Sequence, residues 1–247
     1  MRPGAEDRRE GVLNQAYQWV DERVGLTELL MALFKRLIPK GVGLWYTIGF
    51  ASVLVLINQF VTGALLAMYY APTPDHAYDS ILYISNEVTL GSVIRGLHHW
   101  GASAMVVLAV LHGIVVFATA AYKYPRELTW IIGVFMLLVV LAFSFTGYLL
   151  PWDEKAYWAT TVGTNMAGTA PYFGDSVLRA LKGGSELGAM TLLRFYSLHT
   201  MLLPAILLLL AGAHLFLVVR QGVSVPPGLW EEEEKGVPPA SGKGGAA

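Results

Sequence analysis

Arg95-Gly-Leu-His98-His99-Trp100 opens an apolar run that reaches His112 without meeting Asp, Glu, Lys or Arg, and a second such run carries His199 and His214. An imidazole inside hydrocarbon loses its hydration, which costs free energy unless the ring binds a partner. His98 and His112 are 14 positions apart. On a helix that is about 21 Å of rise, and it brings both rings to within about 40° of one face. His199 and His214 are 15 apart, about 60° beyond whole turns. Pro204 lies between them, and its missing N–H interrupts the ladder and can absorb the odd residue.

Glycines keep the same rhythm. Gly49 and Gly63 are 14 apart in one neighbouring run, as are Gly133 and Gly147 in another. Two helices thus offer imidazoles, and two others offer missing side chains at matching heights. A flat macrocycle held edge-on between helices needs axial ligands and clearance, so the pattern points to two b-type haems with two histidine ligands each. Such ligation leaves no open iron position and favours electron transfer over oxygen chemistry. A single membrane histidine is more often a helix–helix hydrogen bonder, and single glycines usually allow close packing. The register of all eight positions argues for haem. His99, about 100° round the helix from His98, and His76, in a polar loop, are not read as ligands.

Composition places these runs in a membrane. Of 247 residues 55% are hydrophobic and 14% charged, with a mean hydropathy of +0.51, whereas soluble domains carry about 25% charged residues. The net charge of −1 offers no basic surface for nucleic acid. There is no cysteine, which excludes disulfides, thiolate metal sites and thioether-linked cofactors. The N-terminal ten residues lack the apolar core of a secretory signal. The expected class is all-α: an integral membrane four-helix bundle with an N-terminal amphipathic surface helix and two haems between the helices.

Residues 1–41 read as a tail and surface helix, the latter over Val12–Leu37, where apolar residues recur at helical intervals among charges and Pro39 and Gly41 follow. Residues 42–222 hold four spans, near Val42–Tyr70, Gly96–Ala121, Leu128–Leu150 and Ser197–Val219, each long enough for a core that takes about 20 residues. The connection Trp152–Phe195 is expected to carry short surface helices, one near Asp175–Lys182. Residues 223–247, with Glu231–Glu234 and a Gly/Pro/Ala end, read as a disordered polar tail. Lys35, Arg36, Lys40, Lys123, Arg126 and Arg220 flank one side, while the first connection carries Asp75, Asp79 and Glu87 and no base. The positive-inside rule therefore puts both termini in the cytoplasm, in a bacterial plasma or photosynthetic membrane. The second and fourth spans then run parallel, with His98 and His199 at the outer end and His112 and His214 deeper.

Pro125-Arg-Glu-Leu-Thr-Trp130, Thr146-Gly-Tyr-Leu-Leu-Pro-Trp-Asp153 and Leu193-Arg-Phe-Tyr-Ser-Leu-His199 resemble the cytochrome b family, in the short split form of cytochrome b6, and the similarity runs from about Tyr17 to Gly222. The resemblance implies that His98 and His199 ligate the outer haem b, and His112 and His214 the inner one. It implies that Arg95 partners a haem propionate, and it marks Arg220 as a cofactor-binding base. Phe143, Thr146, Tyr148, Leu150, Pro151 and Trp152, with a loop helix starting near Ala156, would wall a quinol-oxidation site. The implied activity is that of a proton-translocating quinol:cytochrome c or plastocyanin oxidoreductase working by a Q cycle, in which this chain is inactive alone. Implied partners are a second cytochrome b subunit supplying the C-terminal helices and their Pro-Glu-Trp-Tyr motif, a Rieske iron–sulfur protein and a c-type cytochrome, in a homodimeric complex.

Four departures from the family pattern matter. Thr47 stands where the b6 branch has a cysteine carrying an extra haem, so covalent haem c is not expected. Ala32 replaces an acidic residue, Val219-Arg220 a basic pair, and His99 an arginine. An inner quinone site is therefore expected to be built differently. Two rival readings remain at this point: a dihaem anchor of a dehydrogenase or hydrogenase, and a non-haem transporter using histidines as a proton relay. The first lacks a reason for the Pro-Trp-Asp motif, and colour in the purified protein would exclude the second.

Overall fold

The computed structural model describes residues 5–25, 27, 28, 31, 44–184, 186–222 and 224, with no strand among them. Ala32, the 41/42 boundary and nearly all of the 223–247 tail lie outside the described residues.

Helix α1 spans Ala5–Val24. It ends where Gly25 turns left-handed (φ 65°) and donates its N–H to the Asp21 carbonyl at 2.8 Å, a glycine C-cap. Arg23 lies 4.1 Å over the Trp19 ring. The single helix expected over Val12–Leu37 therefore starts earlier and is interrupted at Gly25, which periodicity alone did not reveal.

A 3₁₀ turn at Leu44–Thr47 leads into α2, Ile48–Ala67. Then follow α3 (Ala77–Asn86), α4 (Gly91–Ala118), α5 (Glu127–Leu149), α6 (Glu154–Gly168), α7 (Gly174–Lys182), α8 (Ala189–Ser197), a π turn at Leu198–Leu202 and α9 (Leu203–Gln221). Four spans of 24, 28, 23 and 33 residues, with mean hydropathies of 1.9 to 2.6, are long and apolar enough to cross a bilayer. The protein is an all-α integral membrane bundle.

One added helix and two boundaries differ from expectation. The first connection contains α3, and α4 starts at Gly91 rather than Gly96. Leu90 takes a left-handed φ of 60°, and Gly91 sits so close under the Ile84 carbonyl that any Cβ would clash. The fourth span begins at Ala189 rather than Ser197. Arg194, the one charge in the added turns, donates to the exposed carbonyls of Arg179 (3.2 Å) and Ala180 (2.5 Å) at the end of α7. The long third connection does hold helices: α6, started by the Asp153 side chain accepting from the Ala156 N–H at 2.7 Å, and α7.

The π turn resolves the 15-residue interval. It begins one residue before His199 and ends two before Pro204, and a π turn takes in one residue more than an α turn over the same rise. Pro204 has no N–H to return to residue 200, so the ladder is already open there. His214 thereby recovers the face it would have with 14 residues of regular helix.

Two apolar clusters hold the bundle. Ala77, Leu149, Leu192 and Phe195 are buried at one end, with Tyr70, Phe145, Leu150, Trp152 and Leu181 around them. Met105, Val140 and Leu207 are buried at mid-height, packed by Val55, Leu56, Val106, Met136, Val139 and Phe143. Met105 lies midway between His98 and His112, Leu56 between Gly49 and Gly63, and Val140 between Gly133 and Gly147. Seven residues are two helical turns, so each midpoint shares the face of its flanking pair. A dry apolar layer thus separates two sites stacked along the bundle.

Candidate functional site

The four histidines meet as two pairs, each joining α4 to the last helical rod. The His98 and His199 ring centres are 6.3 Å apart with planes at 76°, and those of His112 and His214 are 6.4 Å apart at 75°. This arrangement needs α4 and α9 parallel. Two imidazoles bonded to one metal at about 2 Å each, with each ring centre about 1.1 Å behind its nitrogen, would have centres about 6.3 Å apart. No cluster of three or more His, Cys, Asp or Glu capable of holding a metal exists among the described residues. A metal here would take its other ligands from outside the described residues, as from a macrocycle.

The glycines sit against these rings. A Cβ on Gly49 would stand 3.0 Å from His112 Cε1, and one on Gly63 3.0 Å from His98 Cε1. On Gly133 it would stand 3.4 Å from His214 Cε1, and on Gly147 only 2.6 Å from His199 Cε1. Each notch thus receives the edge of one imidazole, a use the spacing did not specify.

Hydrogen-bond partners point to the ring nitrogen that is free. The Thr62 hydroxyl donates to the Asn58 carbonyl (2.6 Å) and lies 2.9 Å from His98 Nδ1. The Thr146 hydroxyl donates to the Ala142 carbonyl (2.8 Å) and lies 3.2 Å from His199 Nδ1. A hydroxyl has one proton, so toward each ring it accepts, and Nδ1 carries the hydrogen. His214 Nδ1 faces the Thr129 carbonyl at 3.1 Å, which can only accept. In these three rings Nε2 is left with its lone pair, the state required of a metal ligand.

The six residues expected to wall a quinol site fall into two groups with one apart. Phe143 packs edge-on to His199, 5.3 Å between centres, beside Thr146. Leu150 accepts from the Tyr70 hydroxyl at 2.6 Å, and Trp152 packs with Tyr157 beyond Pro151. Tyr148 is exposed. Arg95 is exposed one turn before His98, with a 3.4 Å bond to Ser85 Oγ. Arg220 stands exposed in the last turn of α9. His99 packs on Trp100 and joins neither pair. Sequence reasoning missed Thr62 as a partner of His98 and the Gln59 side chain, which donates to the His98 carbonyl at 3.0 Å. The repeated Thr-Gly at 62–63 and 146–147 was the available signal.

Residues 33–222 match the family model described as cytochrome b/b6/petB. The chain is 42% identical over 223 residues to the menaquinol:cytochrome c reductase cytochrome b subunit of Geobacillus thermodenitrificans, covering 87% of this chain and all of that one. It is 39% identical over 213 residues to cytochrome b6 of a Picosynechococcus strain, covering 86% and 96%. Among solved structures, a chain of a hyperthermophilic respiratory Complex III superposes with a TM-score of 0.78 at 32% identity. That match covers 86% of this chain and 57% of the solved one, so this chain spans little more than half its length. Family model and relatives concur: this chain belongs to the cytochrome b family, in its short b6-like form.

Proposed function

We propose that this chain is the dihaem b-type cytochrome subunit of a quinol oxidoreductase, with His98 and His199 holding one haem b and His112 and His214 the other. The observation that carries this is the pair of ring separations, 6.3 and 6.4 Å, each the width of one metal between two imidazoles. When bound there, the haems supply one-electron transfer between the two faces of the membrane. The chain's residues provide the setting. Nδ1 hydrogen bonds at three rings point Nε2 lone pairs inward, and the four glycines let the helices close on the rings. The mid-height layer of Met105, Val140 and Leu207 keeps water and polar groups out of the path. Arg95 offers a positive charge at the outer end, suited to a haem propionate.

In this reading the working enzyme is a complex that oxidises quinol at the outer face and reduces quinone at the inner face, moving protons outward by a Q cycle. Phe143 and Thr146 beside His199, and Leu150, Pro151 and Trp152 beyond, form this chain's share of the outer quinol site, with Tyr148 at its margin. A second cytochrome b subunit, a Rieske protein and a c-type cytochrome complete the complex, which is a homodimer. The relatives named as menaquinol:cytochrome c reductase subunits support this partner set. Both termini lie in the cytoplasm, and Arg220 serves the inner cofactor. No haem is attached covalently to the chain, which has no cysteine.

The test is a pyridine haemochrome assay on the purified complex, scaled to this chain, after acidified-acetone extraction. Two extractable b haems per chain are expected. Absence of haem demotes the histidines to helix packing or proton relay.

A further inference from the structure

Resting on the haem assignment above, we infer that Thr62 and Thr146 are positioning residues that tune one haem and not the other. Both hydroxyls are buried, with 5% of each residue exposed. Each occupies the position before a notch glycine, and each hands its only proton to a carbonyl of its own helix. Each then accepts from the Nδ1–H of the ring lodged in the adjacent notch, at 2.9 Å from His98 and 3.2 Å from His199. Two helices thus present the same device to the two ligands of one site.

The other site lacks it. The equivalent positions, before Gly49 and Gly133, are Ile48 and Ile132. There His214 donates straight to the Thr129 carbonyl. Backbone carbonyls in the same place, four residues before the notch glycine, serve His98 (Gln59) and His199 (Phe143) as Thr129 serves His214; what the two sites do not share is the threonine hydroxyl.

An acceptor on Nδ1–H places electron density in the imidazole, making it a more basic ligand, and it fixes the ring's rotation about its axis. More basic axial ligands favour the ferric state. Removing the hydroxyl while keeping the side chain's shape should therefore raise the midpoint potential of the His98/His199 haem alone.

The experiment is potentiometric titration of the purified whole complex carrying Thr62→Val, Thr146→Val or both, followed in the visible b-haem bands. The two steps are assigned with His112→Leu, which lacks the inner one. Each Val variant is expected to raise the outer step, by about a two- to threefold change in its reduced-to-oxidised ratio at fixed potential, the size of one modest hydrogen bond. The double variant should shift further, the inner step should stay in place, and Thr→Ser at either position should restore the wild-type value. Loss of only the outer haem in a Val variant, with the Ser variant intact, supports the same role. An outer step that is unmoved or lowered, or both steps moving together, overturns the inference. If wild-type complex shows no pair of b-haem steps, the haem assignment itself fails, and the failure is visible before any variant is made.

Discussion

Adding a single methyl group at each glycine notch should produce a graded loss of haem, ordered by distances in the structure. A Cβ on Gly147 would stand 2.6 Å from His199 Cε1, 3.2 Å from Nδ1 and 3.3 Å from Nε2. Carbon atoms rest at about 3.5–4.0 Å, so the ring must retreat by about 1 Å or the helix must move. A metal–imidazole bond is about 2 Å long and tolerates about 0.2 Å, so a ring displaced that far leaves its metal. Overpacking costs about 1–3 kcal/mol, which corresponds to about a 5- to 150-fold loss of affinity at that site. Gly49→Ala and Gly63→Ala, at 3.0 Å, call for about half that movement. Gly133→Ala, at 3.4 Å, calls for a few tenths of an ångström, which thermal give can absorb. Alanine gains up to about 1 kcal/mol of helix propensity at every one of the four positions, so general helix stability cannot produce the order. The assay is haem per chain by pyridine haemochrome together with a redox titration. Gly147→Ala should lose the outer step, Gly49→Ala and Gly63→Ala should weaken the inner and outer steps respectively, and Gly133→Ala should keep both. Two haems retained by Gly147→Ala with haem lost from Gly133→Ala would refute the notch geometry.

Further outcomes follow from the same sites. His112→Leu should remove the inner redox step and spare the outer one, read by titration of the b bands; if neither step is lost, the pairing with His214 is wrong. Deleting Thr200 in a Pro204→Ala background should convert the π turn to regular helix and retain both haems. Deleting Leu208 instead should turn His214 by about 100° and cost the inner haem; equal haem content in the two deletions would contradict the bulge account. Haem staining after denaturing electrophoresis should leave this chain blank, and a stained band at its mass would show an attachment that a chain without cysteine does not provide.

Much of the site was legible before the fold because its parts repeat along single helices. Hydropathy located the four runs, and a 14-residue recurrence places two residues on one face whatever the helix packs against, so His98 with His112 and Gly133 with Gly147 could be read as pairs of levels. The absence of cysteine needed no structure at all. Charge asymmetry in the loops made the second and fourth runs parallel, which put His98 and His199 at the same outer level; their pairing on one haem was what the family resemblance implied. The helix α3 was missed because its ten residues sit in a connection whose Asp75, Pro74 and Asn86 suggest turns. The early start of the fourth span includes Arg194, a charge the helix accommodates where the end of α7 offers it carbonyls. That each glycine faces an imidazole, that Thr62 and Thr146 hold Nδ1 at one site only, and that a π turn returns His214 to its face depend on how each rod is rotated and shifted against its neighbours. Periodicity along one helix carries no record of those rotations. They are settled by side-chain packing between helices, which is why the levels of the histidines and glycines were determined by the sequence alone while the groups placed against each ring were decided by the tertiary structure.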